Sequence, residues 1–157
     1  MPSVRFYHLH SQSPLAALPL LAQRGLDKGH KIFIRAKDDG AAAAIDSALW
    51  DFLPQSFLPH AIAGGPYDEL QPVLIGTDFD PREELGGMAD MMIVMPDAAG
   101  ETPLDFPPCV TLACEILDGA DPAHIALSRK RWAAYKEAGY DLSYWQQTGD
   151  GKWEQKA

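Results

Sequence analysis

Two imidazoles, His8 and His10, stand two residues apart in a segment rich in β-branched and aromatic side chains. On a strand that spacing puts both rings on one face. They could begin a metal site, with Asp78 or Asp80 to complete it. However, no second ligand pair with metal-site spacing follows, and packing or surface histidines are the simpler reading. Cys109 and Cys114 lie five apart in an apolar run with the composition of a strand. An odd spacing points them to opposite faces, which disfavours a disulfide or a shared metal and favours two small buried hydrophobes. Glu83, Glu84 and Asp90 lie in a glycine-containing connection that reads as a solvated acidic loop. The chain has no G-x-S-x-G elbow, no G-x-x-x-x-G-K-[ST] loop and no G-x-G-x-x-G turn after its first strand, where HLHSQS stands instead. No catalytic residues are assigned, and no cofactor or metal is expected.

The segment DPAHIALSRKRWAAYKEAG, 121–139, carries a different chemistry. Asp121 suits an N-cap, Pro122 the first helical position and Gly139 the residue past the end. At about 100° per residue, Leu127, Ala134 and Ala138 share a narrow face that can pack on a core. Ile125, Arg129, Trp132 and Lys136 share another, on the side expected to meet water. A Trp and an Ile between two cations suggest a docking surface for something both acidic and apolar.

Charge strengthens that reading. The chain of 157 residues carries a net charge of −9. Residues 121–140 hold four cations and two carboxylates, so this segment is basic on an acidic protein. The overall balance disfavours direct, non-specific nucleic-acid binding. The length suits one domain over 1–157 with a sizeable core, and 46% hydrophobic content is within the globular range. There is no long apolar span and no signal-like start, and two cysteines fit a reducing compartment. These features predict a cytoplasmic protein.

The elements that must position these residues alternate. VRFYHL reads as a strand; a helix follows from Ser13-Pro14 to Gly29, with Pro19 implying a kink or irregular turn. KIFIR reads as a second strand, and Asp38 or Asp39 caps a helix ending near Leu49-Trp50. VLIG, MMIVM and VTLACEI, at 73–76, 91–95 and 110–116, are short apolar runs of the kind buried in parallel sheets. Asp141–Gln147 and Lys152–Gln155 flank a four-residue turn and predict a terminal hairpin extension over about 141–157. The pattern predicts an α/β fold: three layers, α/β/α, around a mostly parallel sheet, without a glycine-rich nucleotide motif.

A second apolar cluster, ALWDFLPQSFLPHAIA at 48–63, sets Trp50, Phe52, Phe57 and Leu58 among prolines at a helix exit. This cluster, the opening VRFYHL with KGHKIFI, and SRKRWAAYKEAGYDL together resemble the chi subunit family of bacterial DNA polymerase III. The resemblance spans about residues 4–145. It implies a Rossmann-like fold without a nucleotide site and a non-catalytic adaptor role in the clamp-loader complex. The expected partner is the acidic, Phe-ended C-terminal tail of single-stranded DNA-binding protein. Arg129 and Trp132 match positions the family uses for that tail, Trp132 standing where relatives often carry Tyr. Lys136 matches a basic position one turn on, and Ile125 would help wall the pocket for the Phe. Trp50 and Phe57 match a second face that binds the psi subunit, or an equivalent clamp-loader partner, and that a helicase-like repair partner is also thought to use. DNA would then be reached only indirectly. The rivals are a small nucleotide- or metal-dependent enzyme centred on His8, His10 and Asp78, and a direct nucleic-acid binder using the basic helix.

Overall fold

Four-residue apolar runs buried on both faces need backbone partners on both sides, and parallel pairing supplies them. The computed structural model describes residues 2–10, 12–51, 60–63, 71–77, 89–96, 98–99, 104, 106, 108–150 and 152–157. Its strands are β1 (Ser3–His8), β2 (Ile32–Arg35), β3 (His60–Ile62), β4 (Val73–Gly76), β5 (Met91–Val94), β6 (Leu112–Leu117), β7 (Asp141–Gln147) and β8 (Trp153–Gln155). They form one sheet in the order β3-β4-β2-β5-β6-β1-β7-β8. Every pairing is parallel except β7 with β8. All four residues of β4 and of β5 are buried, as expected for interior parallel strands.

Three helices are described: α1 (Pro14–Asp27), α2 (Asp39–Trp50) and α3 (Pro122–Glu137). Each begins on a side-chain cap. Ser13 accepts from the Ala16 amide, Asp38 from Ala41, and Asp121 from Ala123 and His124. Pro14 and Pro122 occupy first-turn positions, where the missing N–H costs nothing. The kink expected at Pro19 does not interrupt the element: α1 runs through it, with Pro19 buried. Gly29, at φ 87°, ends α1 in the left-handed region.

Strand alternation divides the core in two. Tyr7, Ile32, Ile34, Met91, Ile93, Cys114 and Ile116 point to the side where α1 and α2 pack, among Leu18, Leu21, Ile45 and Leu49. Val4, Phe6, Ala113 and Leu117 point to the other side and meet Tyr135 of α3. Gly25 lets α1 approach closely, since a Cβ there would lie 2.8 Å from Met91 Sδ and 2.9 Å from Ile32 Cδ1.

Two expectations are corrected. The expected terminal hairpin forms between β7 and β8, but its first strand is not an appendage. β7 pairs in parallel with β1 over six residues, so it belongs to the main sheet, and only β8 folds back antiparallel on it. The hairpin signal was real, but it concealed the crossover from β6 through α3 to β7. The two cysteines do not share a strand either. Cys109 lies in a turn before β6, and Cys114 is buried within it.

The turn from β6 into α3 is tightly seated. A Cβ on Gly119 would fall 2.1 Å from the Leu9 carbonyl oxygen and 3.0 Å from His8 Nε2. Backbone must move to admit it. Gly119→Ala is therefore expected to destabilise the protein by about 1–3 kcal/mol, read from urea unfolding. An unchanged midpoint would show that the turn yields without cost.

Candidate peptide-binding cleft

The buried line of α3 is His124, Ser128, Arg131 and Tyr135, at helical spacing. This replaces the face expected from Leu127, Ala134 and Ala138: Leu127 and Ala134 are half-buried and Ala138 is exposed. Hydrophobicity misled the reading because the line that meets the sheet is polar. Every member has a partner that makes burial tolerable. Arg131 Nε donates to Glu115 Oε1 of β6 at 2.7 Å, with the two side chains 2% and 1% exposed. Arg131 also donates to the Ala99 carbonyl and to Ser128 Oγ. Ser128 donates to the His124 carbonyl, and the Tyr135 hydroxyl accepts from the Leu104 amide.

Burial pushes the Glu115 carboxyl up, and the adjacent Arg131 charge and hydrogen bond pull it back down. Burial likewise raises the Tyr135 hydroxyl, which stays neutral. Arg131 thus leaves the surface charge count: the exposed cations of α3 are Arg129, Lys130 and Lys136.

The rotation fixed by this line decides where the other residues go. Ile125 and Trp132 lie roughly 80–100° around the helix from it. They are half-buried against the sheet rather than standing in water. Between α3 and β7 a cleft of about 320 Å³ opens. Its floor is Phe6 and Leu117; Ile125, Ser128, Arg129 and Trp132 form one wall, with Tyr144 and Ala157 opposite. The Trp132 ring meets Phe6 edge-on at 5.2 Å between centroids, and meets Tyr144 at 5.9 Å in the same manner. Aromatic edges and faces therefore line the cleft, and a cation stands on its rim.

Arg129 is exposed and has no carboxylate within ion-pair distance among the described residues. Its charge reaches His8, whose imidazole is lowered by burial first and then by His10 and Arg129. Of the four residues expected on this helix, Ile125, Arg129 and Trp132 converge on the cleft. Lys136 is exposed near the end of α3 and does not line it. Phe6, Leu117 and Tyr144 were missed, because only the β6-β1-β7 strand order brings them together.

Among the described residues the rival metal site does not assemble. His8 Nδ1 is hydrogen-bonded to the Tyr144 hydroxyl, and His10 lies past the end of β1. Asp78 and Asp80 lie outside the described residues. Among the described residues no group of three His, Cys, Asp or Glu side chains could hold a metal. Burial pushes the Cys114 thiol up to about 12, which leaves it an unreactive core side chain.

On the far side of the molecule, Trp50 ends α2 and is 58% exposed. Its ring meets His60 at 4.9 Å. Phe57, expected on the same surface, lies outside the described residues, as do Phe52 and Leu58.

The ion pair under α3 is testable. Removing one partner of a buried pair leaves the other charged and unpaired, which costs about 3–5 kcal/mol. Arg131→Ala should lose stability of that order in denaturant unfolding, while Glu115→Leu with Arg131→Met should recover most of it. A loss under about 1 kcal/mol for Arg131→Ala would show that the pair does not anchor the helix.

Comparison with known proteins places this arrangement. Residues 1–143 match the profile of a family described as DNA polymerase III chi subunit, HolC. DNA polymerase III subunit chi of Pseudomonas aeruginosa is 29% identical over 146 residues, covering 90% of this chain and 94% of that protein. The Escherichia coli protein of the same name is 25% identical over 150 residues, covering 91% and 97%. The match takes in all three helices, the central parallel strands and the α3 side of the cleft, so the chain belongs to the chi subunit family of DNA polymerase III.

Proposed function

We propose that this chain is a non-catalytic adaptor subunit of the DNA polymerase III clamp-loader complex. In this reading it links that complex to the acidic C-terminal tail of single-stranded DNA-binding protein during replication. The observation that carries it is an aromatic cleft rimmed by Arg129, which has no carboxylate within ion-pair distance among the described residues, on a chain of net charge −9. The fold suits the role as a Rossmann-like three-layer scaffold that lacks a glycine-rich nucleotide turn, and the working compartment is the bacterial cytoplasm, at the replisome.

The terminal Phe of the tail enters between Trp132, Ile125 and Phe6. Burial of its ring supplies most of the affinity. Arg129 pairs with the terminal carboxylate or an acidic side chain, with the fork geometry a guanidinium offers. Exposed ion pairs contribute only about 0–1 kcal/mol each, so charge steers while the aromatic contact holds. Lys136, one turn from Trp132, adds to the attracting field rather than to the pocket. The acidic remainder of the surface repels DNA, which keeps the contact with nucleic acid indirect. Trp50, with Phe57, serves the second face, toward psi or an equivalent clamp-loader partner. A peptide this short reaches roughly micromolar affinity, about −8 kcal/mol.

Titration with the acidic C-terminal peptide of single-stranded DNA-binding protein tests the first face. Trp132→Ala should weaken binding by about 2 kcal/mol, near thirtyfold, and deleting the final Phe should do at least as much. Arg129→Glu should weaken it at least tenfold and reduce its sensitivity to salt. Peptide affinity unchanged by both substitutions would reject the site. For the second face, Trp50→Ala should reduce co-purification with a clamp-loader partner and leave peptide affinity intact. Loss of both contacts in a variant with a normal melting curve would overturn the two-face arrangement.

A further inference from the structure

A second cleft, of about 240 Å³, opens on the opposite side of the sheet, between the end of α1 and the β7-β8 hairpin. Its permanently charged lining is cationic: Arg5 from β1, Arg24 from the last turn of α1 and Lys28 at its C-cap, with His30 just beyond. Among the described residues no carboxylate lies within ion-pair distance of Arg5, Arg24 or Lys28. Asp141 favours the charged form of Arg5 through space, without an ion-pair contact. Asp90 holds His30 at 3.0 Å, Asp141 accepts from Ser3, and Asp27 accepts from Gln23. Part of this charge answers the negative end of the α1 dipole, which a single cation would satisfy. Three permanent cations around one small cleft, on a chain of net charge −9, exceed that need.

The remaining wall is aromatic. Tyr7 and Trp145 stack at 6.4 Å with 23° between their planes, and Trp153 stands edge-on to Tyr7 at 5.1 Å. All three rings are half-buried, so each keeps surface for a ligand. Tyr7 is held from below by Arg5, whose Nη1 donates to its hydroxyl at 3.5 Å. Trp145 and Trp153 lie beyond residue 143, where the family match ends. This cleft is therefore built partly by residues the family match does not cover, and it is separate from the α3 cleft.

Cations that grip an anion, beside flat rings that stack on a planar group, match the two halves of a nucleotide. The size limits the ligand to one such unit. A longer strand would run out of the cleft onto an acidic surface that repels phosphates. We propose that this cleft binds a single nucleoside monophosphate, its phosphate on Arg24, Lys28 and Arg5 and its base against Trp145 and Trp153. The site lies at the amino-terminal ends of β5 and β6, beside Met91 and Leu112, and needs no glycine-rich turn.

The test follows the four indole N–H resonances of the full chain, assigned by single Trp→Phe variants, during titration with dAMP. The expected result is a saturable shift of Trp145 and Trp153 with Trp50 and Trp132 unmoved. Deoxyadenosine and inorganic phosphate should each bind at least tenfold more weakly than dAMP. Arg24→Gln with Lys28→Gln, two exposed positions, should weaken dAMP at least tenfold while the melting curve stays in place. An eight-residue deoxyadenosine oligonucleotide should bind no more tightly per site than dAMP. The proposal is overturned if dAMP produces no saturable shift, or if phosphate alone binds as well. Wild-type affinity in the double variant, oligonucleotide binding tenfold tighter than dAMP, or displacement of dAMP by an acidic Phe-ended peptide would overturn it equally.

Discussion

The contact between Arg131 and Glu115 sets the geometry of everything on one side of the sheet. A guanidinium and a carboxylate, both almost wholly out of water, must meet with good geometry or each suffers the cost of desolvation. That requirement allows one rotation of α3 about its axis. It also fixes the height of the helix over β6, since Ser128 and the Ala99 carbonyl share the same guanidinium. An apolar stripe of leucines would tolerate a few degrees of roll; a hydrogen-bonded ion pair does not. With the roll fixed, Trp132 is held against Phe6 and Tyr144 instead of swinging free, and Arg129 stands at the rim. A rigid aromatic wall loses little freedom when a ligand arrives.

The sheet provides the same kind of discipline in β7. Successive residues of a strand face opposite sides, so Tyr144 joins the α3 cleft while Trp145 joins the basic cleft behind it. A one-residue slip in pairing with β1 would exchange the phenol and the indole between the two surfaces. The register is pinned by six paired positions and by the His8 contact to the Tyr144 hydroxyl.

Much of this was legible in the chain. Caps at Ser13, Asp38 and Asp121 announce the three helices, because a side-chain oxygen ahead of a helical run serves the first free amides. The runs at 73–76 and 91–94 read as buried strands because nothing polar interrupts them. Helical spacing groups Ile125, Arg129, Trp132 and Lys136, and the first three of these line one cleft. The core-facing side of α3 was not legible, since periodicity arguments follow apolar residues and this helix buries His, Ser, Arg and Tyr. Glu115 gave no warning either: one acid in an apolar run names no partner until β6 and α3 are packed together. Half of each cleft comes from strand order, which local patterns do not encode. The three-residue strand β3 was too short to register as a pattern.

The placement of β1 has a consequence for how the chain is made. β1 lies between β6 and β7, so Ser3 pairs with Leu112 on one side and Asp141 on the other. During synthesis β1 therefore has no native sheet neighbour until more than a hundred further residues have followed. Its backbone groups stay unpaired meanwhile, in a segment of alternating apolar and aromatic character that invites pairing with other chains. Such long-range closure also slows folding, because loop entropy is lost before any contact rewards it. Arg5 is the only lysine or arginine before Arg24, and no Asp or Glu precedes it. A cation inside such a run is the kind of side chain that disfavours pairing between chains.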